Sequence, residues 1–472
     1  MNIIGRKREQ QILSDCLESA RPEFLVVYGR RRVGKTYMVR EFFGGRFSFY
    51  ATGVANKKTK EQLAVFGDWL VQYGCEDRKS PQNWREAFWK LRDVLERDNV
   101  YREPTSGKRI IFLDELPWMD TARSDFKSAL DLFWNGYASA KEDIVLIVCG
   151  SATSWVINNL ISDTGGFYNR ITRKIHLLPF TLKECEELLE LNGFSMDHRQ
   201  IIELYMIFGG IPYYLNYLDK RISIPQNIDT LILDERGPLH EEYSMLFHSL
   251  FKNSKKHILI VEAIAEKHSG ITRVELSAYK DVGDGEPLTK ALSELEQCGF
   301  IRRYRNFTKE KSGYYFQLVD PFILFYIRFV KEAGIRSWLS YKDRGGYYAW
   351  RGLSFEIVCL NHIDRVKEAL GIAGVETAEY AWRSEEKKDG AQIDLLIDRR
   401  DDVINVCEMK FSDSEYVIDA GYYEKLRHKT ELFAKETNTR KTLITTMISV
   451  EGLKKNEYSN VIYVELTGED LF

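Results

Sequence analysis

Gly29-Arg30-Arg31-Arg32-Val33-Gly34-Lys35-Thr36 carries the plainest chemistry in this chain, because it fits the spacing GxxxxGK[ST]. Glycines let such a loop curl until its N–H groups converge on one anion, and a following helix N-terminus adds partial positive charge. Lys35 is then expected to reach the β- and γ-phosphates of a nucleoside triphosphate. Thr36 is expected to hold magnesium, and Tyr37 continues the loop into its helix. A second apolar run, Arg109 to Leu113, ends in two acids. Asp114 is placed to bind magnesium, directly or through water, and Glu115 to polarise the water that attacks the γ-phosphate. A third run ends at Gly150-Ser151-Ala152-Thr153-Ser154. There Ser151 or Thr153 contacts the γ-phosphate, or the hydroxyls cap the next helix. Arg170 and Arg173 flank Ile171-Thr172. One of them is an arginine finger for a neighbouring subunit's nucleotide, or they form surface ion pairs.

A second group of reactive side chains lies near the C-terminus: Glu356, Asp394, Glu408 and Lys410. Ile393–Asp398 and Val403–Lys410 read as two strands joined by a turn, which puts Asp394 and Glu408 on adjacent strands. Alternation puts Glu408 and Lys410 on one face. Two carboxylates, Asp394 and Glu408, can bind a divalent metal, and a lysine beside them can orient or deprotonate a water. The bland alternative is a hairpin whose acids face solvent.

The elements that must position these groups are legible from periodicity. Phe24–Tyr28 reads as a buried strand, Tyr37–Phe43 as a helix, and Phe47–Tyr50 as a short strand. Residues 56–100 read as helical, with Leu63, Phe66, Trp69, Leu70, Trp84, Phe88, Trp89 and Leu91 as core. Thr181 caps a helix over 183–191, and helix 199–208 stops at Gly209-Gly210. Asp234–Pro238 reads as a linker. Beyond it, helices over 256–267, 271–276 and 287–296 precede two strands, 300–304 and 313–319, and 351–365 reads as an amphipathic helix carrying Glu356.

The chain of 472 residues is too long for one core. Its 44% apolar and 29% charged residues are those of a soluble globular protein. A net charge of −3 supplies no global field for nucleic acid, so any DNA contact needs a local basic patch. Seven scattered cysteines point to reduced thiols and a cytoplasmic setting. The N-terminus lacks a signal-peptide core, and no stretch is apolar enough to span a bilayer.

Four segments in this order, GRRRVGKT, IIFLDE, CGSATS and GGIPYYL, resemble the archaeal-type ATPases of the STAND-like branch of the AAA+ superfamily. The resemblance covers about residues 1–235. It implies an α/β fold with a P-loop NTPase parallel sheet (1–180) and a helical lid (181–245), binding ATP with Mg²⁺. Three helices and a hairpin over 246–335 resemble a winged helix-turn-helix. Lys290, Arg302, Arg303, Arg305, Lys309 and Lys311 offer a basic face for DNA there, while winged helices in this group also connect proteins. Glu356, Asp394, Glu408 and Lys410 resemble the PD-(D/E)xK pattern, which implies a restriction-endonuclease-like α/β domain over 336–472. The expected output is ATP hydrolysis driving domain rearrangement, with an ATP-gated nuclease or DNA-handling role. The alternative is a signalling or scaffold ATPase that binds a protein partner without cutting DNA, and homo-oligomers fit either.

Overall fold

The computed structural model describes residues 3–151, 153–162, 169–251, 253–267, 270–305, 307, 314–332, 334–341, 344–384, 386 and 389–472. It has two compact units, Met1–Leu178 and Pro179–Phe472.

The first unit is built on five parallel strands: β1 (Glu23–Tyr28), β2 (Phe49–Thr52), β3 (Arg109–Asp114), β4 (Ile144–Gly150) and β5 (Arg173–His176). Their order is β2-β3-β4-β1-β5. Every residue of β3 and β4 is buried, which is why both read as unbroken apolar runs rather than alternating ones. The register pairs Tyr28 with Gly150 and Thr52 with Asp114. Gly29, Asp114 and Ser151 therefore leave the sheet along one edge, the carboxyl ends of parallel strands where ligands bind in open α/β sheets.

Phe24, Phe49, Phe66, Trp84 and Phe126 fill the core beside the sheet. Each buried aromatic of this size contributes about 2–3 kcal/mol by leaving water. The helical stretch expected over 56–100 is two helices, Thr59–Gln72 and Trp84–Leu95. Asn83 starts the second by accepting the Glu86 N–H. Trp89 is not core: it is 51% exposed, with the Arg85 guanidinium 5.3 Å from its ring centre.

In the second unit, the segments expected as lid, winged helix and C-terminal domain pack together around helix His198–Phe208, buried along most of its length. The Ser354 hydroxyl donates to the Met206 carbonyl at 3.0 Å, and His362 Nε2 accepts the Leu182 N–H at 2.9 Å. Thr181 caps helix Leu182–Leu191, and Gly209, at φ 66°, ends the next. Asp234–Pro238, expected as a linker, is an exposed turn closed by the Gly237 N–H on the Asp234 carbonyl at 2.8 Å. A Cβ on Gly237 would meet the Leu231 carbonyl oxygen at 2.6 Å, and helix Glu242–Leu250 follows.

Helix Ser254–Glu266, β6 (Ile271–Thr272), helices Arg273–Ser277 and Glu286–Gln297, then β7 (Ile301–Arg305) and β8 (Tyr314–Leu318) come next. The three strands form an antiparallel sheet in the order β6-β8-β7. Lys309 and Lys311 lie outside the described residues. The last sheet holds β9 (Thr377–Arg383), β10 (Gln392–Arg399), β11 (Val403–Lys410), β12 (Thr442–Ser449) and β13 (Val464–Leu466), ordered β13-β12-β11-β10-β9. Strands β9, β10 and β11 are antiparallel, while helix Ala420–Thr437 crosses over to make β12 parallel to β11. The helix expected over 351–365 begins at Gly345 and stops at Asn361. His362 breaks it, and a separate helix, Ile363–Ala369, follows.

Phe307 ties the hairpin to this sheet. Its N–H donates to the Ala381 carbonyl at 3.2 Å, and its ring packs against Tyr380 and Phe433 at 5.3 and 5.2 Å. Among the described residues no helix is long and apolar enough to cross a membrane.

Candidate nucleotide site and C-terminal carboxylate cluster

The loop after β1 turns through backbone conformations that constrain its residues. Gly29 has φ 144°, and a Cβ there would lie 2.2 Å from the Leu177 carbonyl oxygen, so only glycine fits. Arg32 and Gly34 also have positive φ, 72° and 92°. Arg30 and Val33 are buried, Arg31 and Arg32 half-buried, and Tyr37 exposed. Helix Lys35–Phe42 opens directly from the loop, so its first amides face the loop's concave side without intrahelical acceptors. The Lys35 ammonium is buried and donates to the Gly29 and Arg30 carbonyls at 2.9 and 2.8 Å. It is held inside the ring where phosphate oxygens would replace those carbonyls.

The Thr36 hydroxyl donates to Asp114 at 2.9 Å, so the two expected magnesium ligands face one point. Burial, and then the charge of Glu115, push the Asp114 pKa up against hydrogen bonds from Thr36 and Cys149. A divalent cation beside Thr36 relieves both pressures, so the donor set fits Mg²⁺.

Glu115 sits at φ 46°, an uncommon conformation for a side-chain-bearing residue and one that clusters at functional sites. Its Oε2 accepts the Ser151 hydroxyl at 2.9 Å. Ser151 thus orients the acid. Thr153 turns inward, fully buried, with its N–H on the Ser151 carbonyl. Two glycines that sequence reasoning did not single out brace this turn. A Cβ on Gly53 would meet the Glu115 carbonyl oxygen at 2.5 Å, and one on Gly150 would meet Pro117 at 2.8 Å. The available signal for Gly53 was its place directly after a short strand.

The two arginines do not join these groups. Thr172, between them, donates its N–H to Phe24 at the start of β1, the end of the sheet opposite Gly29. Arg173 pairs with Asp15 at 3.5 Å and Glu23 at 3.8 Å, and Arg170 is exposed.

Residues 4–218 match the family model of an ATPase domain predominantly from Archaea. That match and the loop's geometry support ATP binding by the first unit on a P-loop NTPase fold. An uncharacterized protein of Methanocaldococcus jannaschii is 27% identical over 344 residues, covering 69% of this chain and 68% of that protein. Among solved structures, a Walker-type ATPase of Pyrococcus abyssi is 20% identical, covering 69% of this chain and 96% of that one at a TM-score of 0.49. The ORC2 protein of Aeropyrum pernix, in ADPNP–ADP complexes, is 16% identical, covering 68% and 91% at a TM-score of 0.43. Likenesses this distant carry no function.

In the second unit the four expected side chains converge. Asp394 and Glu408 each lie one residue beyond the paired Leu395 and Cys407. Glu408 Oε1 accepts Lys410 at 2.8 Å and the Tyr422 hydroxyl at 2.5 Å, while Oε2 accepts Lys429 at 2.6 Å. Burial works against this carboxylate, yet Lys429 and Lys410 hold its pKa down at about 2. Burial also works against the Lys410 charge, but Glu408 outweighs it and the lysine's pKa is raised. Lys410 is therefore a fixed cation, suited to orienting a water rather than deprotonating one. Asp394 accepts Gln392 Nε2 at 2.5 Å. Tyr422 and Lys429, seven residues apart on one helix face, were the readable signal for the missed partners. Among the described residues no group of three or more His, Cys, Asp or Glu is gathered to hold a metal ion.

Burial, then the charge of Asp394, raise the Glu356 pKa to about 8. The unfolded chain releases this proton near the ordinary 4.5, the folded chain near 8. Between those values the folded state binds more protons, so its stability is full below 4.5 and falls as pH rises to 8, by up to about 1.4 kcal/mol per pH unit. Glu356→Gln mimics the protonated acid. Thermal melts are expected to show it gaining on the native chain from pH 5 to pH 9; parallel pH profiles would contradict the assignment.

Proposed function

We propose that this chain binds and hydrolyses ATP at the loop after β1, and that turnover drives rearrangement of the segments after residue 178. The observation that carries this reading is the Thr36–Asp114 and Ser151–Glu115 pairing at the edge where Lys35 is held. The loop amides and Lys35 grip the triphosphate. Glu115, aimed by Ser151, accepts the proton of the attacking water. Magnesium, held by Thr36 and Asp114, would neutralise charge on the β- and γ-phosphates. Lys35→Ala removes the buried cation, and calorimetry with ATP and magnesium is expected to show binding weakened about 10²-fold or more. Unchanged heats would refute the assignment. An arginine finger from Arg170 or Arg173 would act across subunits of a homo-oligomer, since neither joins its own chain's loop. Protease patterns with and without a non-hydrolysable ATP analogue test the rearrangement.

For the later segments, the convergence of Glu356, Asp394, Glu408 and Lys410 supports a PD-(D/E)xK-like domain following a winged helix-turn-helix. Two observations favour partner recognition over cleavage. Both Glu408 oxygens are engaged by lysines and a tyrosine, and the Phe307 N–H is bonded to the Ala381 carbonyl of β9. A plasmid cleavage assay with Mg²⁺ or Mn²⁺, with and without ATP, separates the readings. Nicking under any nucleotide condition favours a nuclease.

A further inference from the structure

The helix that crosses over between β11 and β12, Ala420–Thr437, carries Tyr422, Leu426, Lys429 and Phe433 at the spacing i, i+4, i+7 and i+11, which is one face. Leu426 and Phe433 are 2% and 0% exposed and belong to two apolar clusters. Lys429 stands between them on this face, its side chain 19% exposed. A lysine is rarely turned inward unless it is paired, so a partner must hold it there.

Glu408 is that partner. Because Leu395 pairs with Cys407 on antiparallel strands, Asp394 falls opposite Glu408, and opposite residues share a face of the sheet. One or two carboxylates completed by water suffice for a small divalent cation. Here the place is taken. Lys429 Nζ donates to Glu408 Oε2 at 2.6 Å, while Lys410 Nζ and the Tyr422 hydroxyl reach Oε1 at 2.8 and 2.5 Å. Asp394 in turn accepts Gln392. A metal ion approaching Oε2 must displace Lys429, and the second ammonium, Lys410, repels it as well. The donor set as it stands does not fit Mg²⁺ or Mn²⁺.

Resting on the PD-(D/E)xK-like reading of this domain, we propose that Lys429 is a built-in replacement for the divalent cation of such a centre. The cluster then closes without metal and fastens the crossover helix to β11. Mn²⁺ binding by the full chain, counted by electron paramagnetic resonance with ADP saturating the nucleotide site, tests this. An ion held with ADP is common to every variant and cancels in the comparison. Lys429→Met is expected to hold one more Mn²⁺ per chain than the native protein, with a Kd below about 1 mM. Adding Asp394→Asn to Lys429→Met is expected to abolish the gain. Lys429→Gln, which keeps a polar end, takes its place if Lys429→Met no longer unfolds cooperatively in urea. A Mn²⁺ ion on the native chain that Asp394→Asn removes overturns the proposal and leaves the nuclease-like reading standing. No added ion on either folded variant overturns both.

Discussion

Glu115→Gln is expected to bind ATP as the native chain does and to lose about 10²-fold or more in turnover. The substitution keeps size and backbone, so the strained φ of 46° and the bracing by Gly53 and Gly150 persist. The amide still accepts the Ser151 hydroxyl but no longer takes a proton from water. Phosphate release under saturating ATP, alongside calorimetry, separates the two effects. Ser151→Ala, which frees the acid from its 2.9 Å tether without removing it, is expected to cost about tenfold. A Glu115→Gln chain turning over at the native rate assigns the base elsewhere.

Glu408→Ala is expected to destabilise the second unit by about 3 kcal/mol, because it leaves two lysines facing each other without their shared anion. The Glu408 side chain is 10% exposed and Lys429 19%, so water compensates only partly. Lys429→Met alone strands less charge, and the pair together is expected to cost less than the sum, with a coupling of about 1 kcal/mol or more. Urea unfolding of the four chains measures this. Strict additivity would mean that the 2.6 Å contact contributes nothing. A cleavage assay that uses Glu408→Ala as its inactive control therefore reads unfolding as well as chemistry.

How far these sites were readable from sequence depended on how local their physics is. Lys35, Thr36 and Asp114 announce themselves through spacing and a buried run, and the structure brings them to one sheet edge. The cap at Thr181 reads well too: its hydroxyl accepts the N–H three residues on. What escaped notice depends on distant partners. Gly53 matters because Glu115, in the turn after β3, presses on it. Lys429 and Tyr422 matter because a crossover helix lies over β11. The helix expected over 351–365 is interrupted at His362, whose ring accepts the Leu182 N–H from far away in sequence, a contact that periodicity does not reveal. Asp234–Pro238 has linker composition, but backbone hydrogen bonds, Gly237 N–H to the Asp234 carbonyl and Leu239 N–H to the Leu231 carbonyl, close it into a turn.

The bond from Phe307 to Ala381 also bears on how the chain can be dissected. Strand β9 ends its sheet, and a bare outer strand offers unsatisfied amides and carbonyls to any passing chain. The preceding hairpin acts as a guard rail there. A fragment starting near residue 336 would carry the carboxylates but not the guard, and would self-associate through that margin.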